Sequence, residues 1–291
     1  MIPQLISNSI VAGGEIALVA ISFTFIYSVT RFFNFAHSAS YVAGAYAGYS
    51  LIVLAGCSPT IGFFGAVAAG AFVGMVLEFS FFGKLRDRQA SSLVLLLVSF
   101  GLMVVFQNLI SIMFGDATLV LRRAPVSRVF QFADARITSI QAAVVLTSLG
   151  VGVSMEVLLW FTRMGRVFRA IASDPELALV RGVPVDGAIL VIFGIGSGMA
   201  GLAGILVAYD TDLYPTMGMH ALLLGIVAAI VGGIDSVAGA AVGAMLLGFA
   251  QQFGVWKLPT GWQDAIAFSI LIFFLLVRPQ GFLGEFFKRT A

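Results

Sequence analysis

The chain has 291 residues, of which 60% are hydrophobic and 10% are charged, and its formal net charge is +2. Because a soluble domain carries about 25% charged residues, this composition excludes a water-soluble fold and indicates a protein that lies in a lipid bilayer. The small net charge, without a basic stripe, excludes nucleic-acid binding. The only cysteine, Cys57, excludes an intramolecular disulfide and a cysteine-based metal site.

Membrane-spanning segments are predicted from runs without Asp, Glu, Lys or Arg, since a helix needs about 20 apolar residues to cross the bilayer. The first span is predicted at 5–29, and the uncharged run 32–77 is long enough for two more spans. The remaining predicted spans are 89–115, 137–155, 187–209, 213–234, 236–256 and 261–277. The fold is therefore an all-α polytopic membrane bundle in a single transmembrane domain, 1–291, with nine spans. Eight is the alternative, because the Gly-rich runs beside Asp235 could form one span and a re-entrant helix.

The orientation follows from the basic residues, because Lys and Arg collect on the cytoplasmic side. One predicted side carries Arg31, Lys84, Arg86, Arg88, Arg163, Arg166, Arg169, Arg181, Arg278, Lys288 and Arg289. The other side carries Arg122, Arg123, Arg128, Arg136 and Lys257. We therefore expect the N-terminus outside the cell and the C-terminus in the cytoplasm.

Four predicted spans carry small residues at every fourth position, which places these residues on one helical face. The series are Ala36, Ser40, Gly44 and Gly48; Gly62, Ala66, Gly70 and Gly74; Gly196, Ala200, Gly204 and Ala208; and Ser236, Ala240, Ala244 and Gly248. Small faces let helix backbones approach closely in a membrane. The glycines expected at helix contacts are Gly44, Gly48, Gly198, Gly204, Gly232 and Gly233.

Polar side chains inside the spans are the candidates for a translocation path. Glu15 is the deepest acid, and an acid within a span is costly enough to suggest a function. Asn34 and His37 are three residues apart, so they occupy adjacent turns of a helix. The amides expected at depth are Gln107, Asn108 and Gln251. Each of these groups has an alternative role in hydrogen bonds between helices.

No motif for covalent chemistry is present in the sequence. Residues 196–201 match the GxGxxG dinucleotide pattern, but no strand precedes them and they lie in an uncharged run. A phosphate-binding loop, an HExxH zinc pair and a GxSxG nucleophile turn are all missing from the sequence. We therefore expect no catalytic residue, no metal and no cofactor in this chain, and any ATP to be bound by partner subunits.

Residues 163–186 form the longest polar loop on the predicted cytoplasmic side, and they contain helix-capping signals. Ser173 and Glu176 have the spacing of a capping box, and Asp174 suits the first turn that follows. Gly182 is typical of the residue that ends a helix. A helix of about two turns is predicted between these signals.

This predicted helix presents Leu177 and Val180 together and leaves Arg169 and Arg181 available to a partner. We expect Arg166 and Arg169 to hold the loop on an acidic partner surface. The alternative is a charged turn that only anchors two spans.

Four separated parts of the chain resemble the permease subunit of branched-chain amino acid ABC importers, a family that also includes urea and amide transporters. The matching segments are FNFAH at 33–37, MGRVFRA at 164–170 with Asp174 and RGV at 181–183, GGIDSVAGA at 232–240, and RPQG at 278–281. They occur in the family's order, and the resemblance covers nearly the whole chain.

The resemblance implies a multi-pass protein of the bacterial inner membrane that is not an enzyme. A second, related permease would complete the passage for branched-chain or related amino acids, two ATP-hydrolysing subunits would bind below, and a periplasmic binding protein would deliver the substrate. The implied ATPase-coupling residues are Gly165, Arg166, Arg169, Asp174, Glu176, Arg181 and Gly182. The alternatives are a urea or short-amide permease of the same family, and a secondary transporter or channel in which Glu15 would couple an ion.

Overall fold

The structure is a computed structural model that describes residues 2–121, 129–132 and 135–283. For Val129–Phe132 and for Ala135 it describes the backbone alone. Five basic residues used to predict the orientation lie outside the described residues: Arg122, Arg123, Arg128, Lys288 and Arg289.

Helices dominate the described part of the chain, as the sequence predicted. They are α1 (Ile2–Thr30), α2 (His37–Tyr49), α3 (Pro59–Leu77), α4 (Gly83–Asp87), α5 (Ser92–Phe114), α6 (Ser139–Phe161), α7 (Arg163–Ser173), α8 (Pro175–Val180), α9 (Val185–Asp210), α10 (Met217–Gly232), α11 (Val237–Val255) and α12 (Gln263–Val277). Strands β1 (Val129–Phe132) and β2 (Ala135–Thr138) pair as an antiparallel hairpin. A π-helical segment, Ser50–Leu54, extends α2, and another, Glu78–Phe82, joins α3 to α4. A short 3-10 turn, Thr260–Trp262, precedes α12.

Seven helical stretches are long and apolar enough to cross a membrane: α1, Pro59–Asp87, α5, α6, α9, α11 and Thr260–Val277. Each of the nine predicted spans contains an α-helix. However, α2 has 13 residues and α10 has 16 residues, which is shorter than the about 20 residues that a crossing needs. The run around Asp235 contains two separate helices, α10 and α11, joined by a tight turn.

The described helices cluster into two compact units, and the division falls within α1, α6 and α10. The α9 unit comprises Phe25–Leu121 and Ser154–Leu222. The α11 unit comprises the described residues of Met1–Thr24, Arg122–Val153 and Leu223–Ala291. The single transmembrane domain expected from the sequence stays a prediction.

In the α9 unit, helix α9 crosses α2 and α3 at glycines. A methyl group at Gly44 would overlap with the Gly201 backbone, and one at Gly204 would overlap with the Tyr41 carbonyl oxygen. A methyl group at Gly70 would lie 2.5 Å from the Ser197 carbonyl oxygen. The backbones of these three helices therefore touch directly, which is the packing that small-residue faces permit.

Not every predicted packing glycine lies at such a crossing. Gly48 faces the Ile205 side chain rather than a backbone. Gly198 lies in ordinary contact, because an added methyl group would be 3.4 Å from the Val67 side chain. Gly198 is thus on the same helix as Gly204 but outside the closest contact.

In the α11 unit, backbone contacts again occur at glycines. A methyl group at Gly248 would overlap with the Gly13 backbone of α1, and one at Gly232 would overlap with the Gly239 carbonyl group. Gly233 follows α10 with φ +118°, so it serves the turn rather than a helix face. A residue with a side chain rarely adopts this conformation.

Candidate functional site

The chain leaves helical geometry between α1 and α2, at residues 31–36, here called the 31–36 segment. Ser99 of α5 anchors this segment, because its hydroxyl accepts a 3.0 Å hydrogen bond from the Phe35 backbone N–H. The Asn34 carbonyl oxygen accepts a 3.3 Å hydrogen bond from the His37 N–H, where α2 begins. The segment therefore holds Asn34 and His37 at the start of a short helix.

Asn34 and His37 are almost completely buried, with 2% and 1% of their surfaces exposed. The side-chain oxygen Oδ1 of Asn34 has no hydrogen-bond partner within the described part of the chain. Because a buried polar atom without a partner costs free energy, such an atom calls for an explanation. A polar substrate group or a water molecule near Asn34 would supply the missing donor.

A small cavity lies where the first turns of α2 and α10 face α5. It is lined by Ser38, Ala39, Val42, Met103, Phe106, Gln107, Ile110, Pro215 and Met219. Its free space of about 10 Å³ accommodates about one water molecule. The lining is mostly apolar, with one amide and one hydroxyl group. The cavity therefore suits an aliphatic solute by chemistry but is too small to admit one in this conformation.

The structure separates the two neighbouring amides of α5. Gln107 lines the cavity, whereas Asn108 is exposed and its Nδ2 group donates a 2.8 Å hydrogen bond to the Val104 carbonyl oxygen of its own helix. Neighbouring helix residues point about 100° apart, and the cavity lies on the side of α5 that carries Phe106 and Gln107. Both residues stay path candidates, Gln107 at the cavity and Asn108 on the exposed side of α5.

Two further path candidates lie in the α11 unit. Glu15 is partly buried within α1, where the adjacent Gly14 faces Ser148 of α6. Gln251 is buried on α11, and its Nε2 group donates a 3.2 Å hydrogen bond to the Gln263 carbonyl oxygen at the start of α12. For Gln251 this geometry favours the alternative role, a hydrogen bond between helices.

The predicted coupling loop contains two helices, α7 and α8, where the sequence predicted one. The Thr162 hydroxyl caps α7 by accepting a 3.0 Å hydrogen bond from the Gly165 N–H. Gly165 lies against the Leu158 carbonyl oxygen, where a methyl group would overlap. Phe168 and Ile171 form the buried face of α7. The spacing of these apolar residues could have revealed the helix.

The two arginines expected to act together have different environments. Arg166 is exposed, whereas the Arg169 guanidinium carbon lies 4.3 Å from the centre of the Trp160 ring. This cation–π contact holds Arg169 against the end of α6. Arg166 is therefore free to meet a partner surface, while Arg169 also stabilises the loop itself.

Helix α8 is capped by Asp174, not by Ser173 as the sequence predicted. The Asp174 Oδ1 atom accepts a 2.9 Å hydrogen bond from the Leu177 N–H. Ser173 instead belongs to the last turn of α7, so the predicted capping box with Glu176 is wrong by one residue. The sequence correctly indicated a capped helix here, but α7 extends to Ser173, so α8 begins one residue later than predicted.

Gly182 ends α8 in the left-handed conformation, with φ +82°. The Val183 N–H donates a 3.1 Å hydrogen bond to the Ala178 carbonyl oxygen, as in a Schellman motif. Leu177, with 48% of its surface exposed, and Val180, with 84%, remain uncovered on the short helix. Arg181 is also exposed beside them.

A buried acid at the end of α3 was given no path role by the sequence. Glu78 is 2% exposed, and its Oε1 atom lies 2.5 Å from the Arg86 guanidinium of α4. Asp186, in the first turn of α9, lies 3.6 Å from the same guanidinium. Since a buried charge needs a partner, Arg86 makes this π-helical junction tolerable. The sequence signal for this ion pair was the eight-residue spacing of Glu78 and Arg86 at the end of a predicted span.

Two of the resembling motifs meet in the α11 unit. Phe282 and Leu283 follow RPQG. The Phe282 N–H donates a 2.9 Å hydrogen bond to the Val231 carbonyl oxygen, and the Leu283 N–H donates one of 2.9 Å to the Gly232 carbonyl oxygen. The Ser236 hydroxyl accepts a 2.9 Å hydrogen bond from the Gly239 N–H and caps α11. This junction fixes the turn between α10 and α11, a role that sequence spacing alone could not reveal.

Within the described residues, no group of three or more His, Cys, Asp or Glu side chains could hold a metal ion. The polar groups of the site are amides, hydroxyls and one histidine, and they are spread over several helices.

The chain is similar in sequence to known transport permeases. A sequence model of the family described as branched-chain amino acid transport system, permease component, matches residues 5–275. The chain is 30% identical over 296 residues to the high-affinity branched-chain amino acid transport system permease protein LivH of Escherichia coli, covering 97% of this chain and 95% of that protein. It is 28% identical over 297 residues to the corresponding permease protein BraD of Pseudomonas aeruginosa, covering 97% and 95%.

A solved structure is also similar. PsaBC from Streptococcus pneumoniae, in complex with Fab, matches with a TM-score of 0.53 over 100% of both chains. The sequence identity is 14%, so the likeness concerns the fold alone.

Proposed function

The chain belongs to the branched-chain amino acid transport permease family, and from this premise we propose that it forms the translocation path for branched-chain or related amino acids. It is a permease subunit of an ABC importer and a multi-pass protein of the inner membrane. ABC importers of this kind work with an ATPase and a substrate-binding protein.

The finer composition of the importer is part of the proposal. A second, related permease chain completes the passage, two ATPase subunits bind ATP on the cytoplasmic side, and a periplasmic binding protein delivers the substrate. This chain binds no cofactor of its own and performs no covalent chemistry. Its N-terminus lies outside and its C-terminus lies in the cytoplasm, which the basic residues at Lys84 and Arg166 support.

The observation that carries the proposal is the exposed apolar surface of the capped helix α8. Leu177 and Val180 lie on one side of it, with Arg181 exposed beside them and Arg166 exposed on α7. The coupling residues Gly165, Asp174 and Gly182 shape this surface through two caps and a left-handed turn. A capped helix with this surface suits docking onto an ATPase, since ordered apolar side chains bind at low entropic cost.

The path passes the cavity beside Gln107 in this proposal. The free space of about 10 Å³ is too small for an amino acid, so substrate passes only when α2, α5 and α10 change their positions around it. Gln107 and the Ser38 hydroxyl are the polar groups that meet the solute, and Met103, Phe106 and Ile110 contact its aliphatic side chain. Weak binding is sufficient here because the binding protein selects the substrate.

The test is to purify the chain gently from its native membrane through an affinity tag and to identify the associated proteins by mass spectrometry. We expect an ATPase and a second permease. The purified complex, placed in vesicles with its binding protein, should take up radiolabelled leucine in an ATP-dependent manner. Uptake of urea but not leucine would overturn the substrate. Recovery of a monodisperse chain alone in several detergents would instead favour a self-contained transporter, and Glu15 would be the next residue to test.

A further inference from the structure

Helix α1 ends at a residue with an unfavourable backbone conformation. Among the described residues, only two residues other than glycine have positive φ: Arg31 at 55° and Gln89 at 54°. The Arg31 N–H donates a 2.9 Å hydrogen bond to the Tyr27 carbonyl oxygen and closes the last turn of α1. Glycine is the usual residue at this position after a helix, because a side chain is disfavoured there. An arginine that persists in this conformation suggests that its side chain has a role.

The Arg31 side chain reaches the coupling loop. Its Nη2 atom donates a 3.3 Å hydrogen bond to the Ala172 carbonyl oxygen in the last turn of α7. A cation at a helix C-terminus interacts favourably with the unpaired carbonyl groups and with the helix dipole. The guanidinium of Arg31 therefore binds α7 at its end.

A second contact joins the same two helices. The rings of Phe25 in α1 and Phe168 in α7 pack edge to face, with their centres 5.7 Å apart. Both side chains are buried, so this contact excludes water. The last two turns of α1 and helix α7 are consequently joined at two points.

Arg31 is also the first residue of the 31–36 segment. Phe32, which follows it, is buried, and its ring centre lies 5.1 Å from that of Phe82. Asn34 lies three positions after Arg31, and its side-chain oxygen is buried without a hydrogen-bond partner in the described structure. A movement of α7 therefore has a short covalent route to Asn34 and to the start of α2.

We propose that Arg31 is a positioning residue that transmits movement of α7 and α8 to the 31–36 segment and so links ATP hydrolysis to opening of the path. This inference rests on the proposed function. It names the contact through which a partner bound to the coupling loop changes the surroundings of Asn34.

The experiment compares three variants in the importer purified through this chain and reconstituted in vesicles with its binding protein. Arg31→Gly removes the donor to Ala172 and relieves the left-handed backbone. Gln89→Gly relieves the same conformation at a residue that is exposed and lies outside this contact. Arg31→Lys keeps a cationic donor. The readout is the number of labelled substrate molecules imported per ATP hydrolysed.

We expect Arg31→Gly to lower this ratio at least fivefold, while the thermal midpoint of the complex and the recovery of the ATPase stay unchanged. Gln89→Gly should keep the wild-type ratio, and Arg31→Lys should keep at least half of it. A wild-type ratio in Arg31→Gly would overturn the inference.

Failure to assemble is covered by a fourth variant, Arg31→Asn, because asparagine tolerates the left-handed conformation. Loss of assembly in both Arg31→Gly and Arg31→Asn would overturn the inference in favour of a purely structural role. If the wild-type complex contains no ATPase, the proposed function fails before Arg31 is tested, so the two failures are distinguishable.

Discussion

The crossings of α9 with α2 and α3 and the α7–α8 pair lie in the same unit but are held by different kinds of contact. At the crossings, backbone meets backbone at Gly44, Gly70 and Gly204, and no added atom fits. The α7–α8 pair meets backbone at Gly165 in its first turn, but it is otherwise held by two caps, one buried aromatic contact and the side chains of Arg31 and Arg169, and much of its surface is exposed. Close packing without free space holds helices in one relative position, whereas a small number of separate contacts lets helices move relative to each other. The first region therefore suits a rigid body and the second suits a docking element.

The largest effect is expected where the backbones touch. In Gly204→Leu the new side chain would overlap with the Tyr41 carbonyl oxygen, which cannot move without shifting α2. Overpacking of this kind costs about 3 kcal/mol or more. We expect loss of monodisperse protein in size-exclusion chromatography after expression.

The matched control is Gly101→Leu on α5, where no atom lies within 4 Å of an added methyl group. This variant should have the wild-type yield. Equal yields of the two variants would contradict the idea that the α2–α9 crossing is rigid.

A smaller effect is expected on the exposed face of α8. The double substitution Leu177→Ser and Val180→Ser removes apolar area that a docked ATPase would bury, at about 2 kcal/mol for each side chain. We expect the recovery of the ATPase in affinity purification to fall at least tenfold, with an unchanged melting midpoint of the permease alone.

Leu179→Ser is the matched control for this prediction, because Leu179 is exposed on a different side of the same helix. It should retain most of the ATPase. Full retention of the ATPase by the double variant would show that docking does not use this face.

The sequence predicts the crossings well because close packing of membrane helices requires small residues at a fixed spacing. The every-fourth-residue spacing in three of the four series leads directly to Gly44, Gly70 and Gly204. Spacing could not distinguish Gly198 from Gly204, because both lie on the same apolar helix, and their contacts differ only in the structure, where Gly204 meets α2 closely and Gly198 meets α3 loosely. A periodic pattern thus identifies a face but not the point of closest approach.

The coupling loop shows a different limit of the sequence. Ser173 and Asp174 are both good N-cap residues, so composition alone could not choose between them. The choice depends on α7, which ends at Ser173, and α7 depends on the burial of Phe168 and Ile171. The path was also only partly predictable, since the different exposure of Gln107 and Asn108 results from the packing of α5.

The cavity joins the rigid crossings to a neighbouring helix, because its lining combines residues of α2 with residues of α5. Gln107→Ala removes the amide group from the lining while leaving the fold intact. One neutral hydrogen bond contributes about 1 kcal/mol, so we expect the rate of ATP-dependent leucine uptake to fall about fivefold.

Asn108→Ala is the neighbouring control, since this side chain is exposed and bonds to its own helix. Its uptake rate should match that of the wild type. A larger loss in Asn108→Ala than in Gln107→Ala would place the path on the other side of α5.

The smallest effect is expected at the cap of α8, where the change stays within six residues. Asp174→Ala removes the acceptor for the Leu177 N–H, and loss of such a cap costs about 1 kcal/mol. We expect amide hydrogen exchange to rise about fivefold in α8 and to stay unchanged in α9.

Ser173→Ala should leave the exchange of α8 unaltered, because Ser173 does not cap this helix. Faster exchange after Ser173→Ala than after Asp174→Ala would restore the boundary that the sequence predicted, and α7 would then end one residue earlier. Faster exchange in α9 as well after Asp174→Ala would mean that the α7–α8 pair and the α9 crossings unfold as one cooperative unit. The contrast between a rigid body and a docking element would then fail.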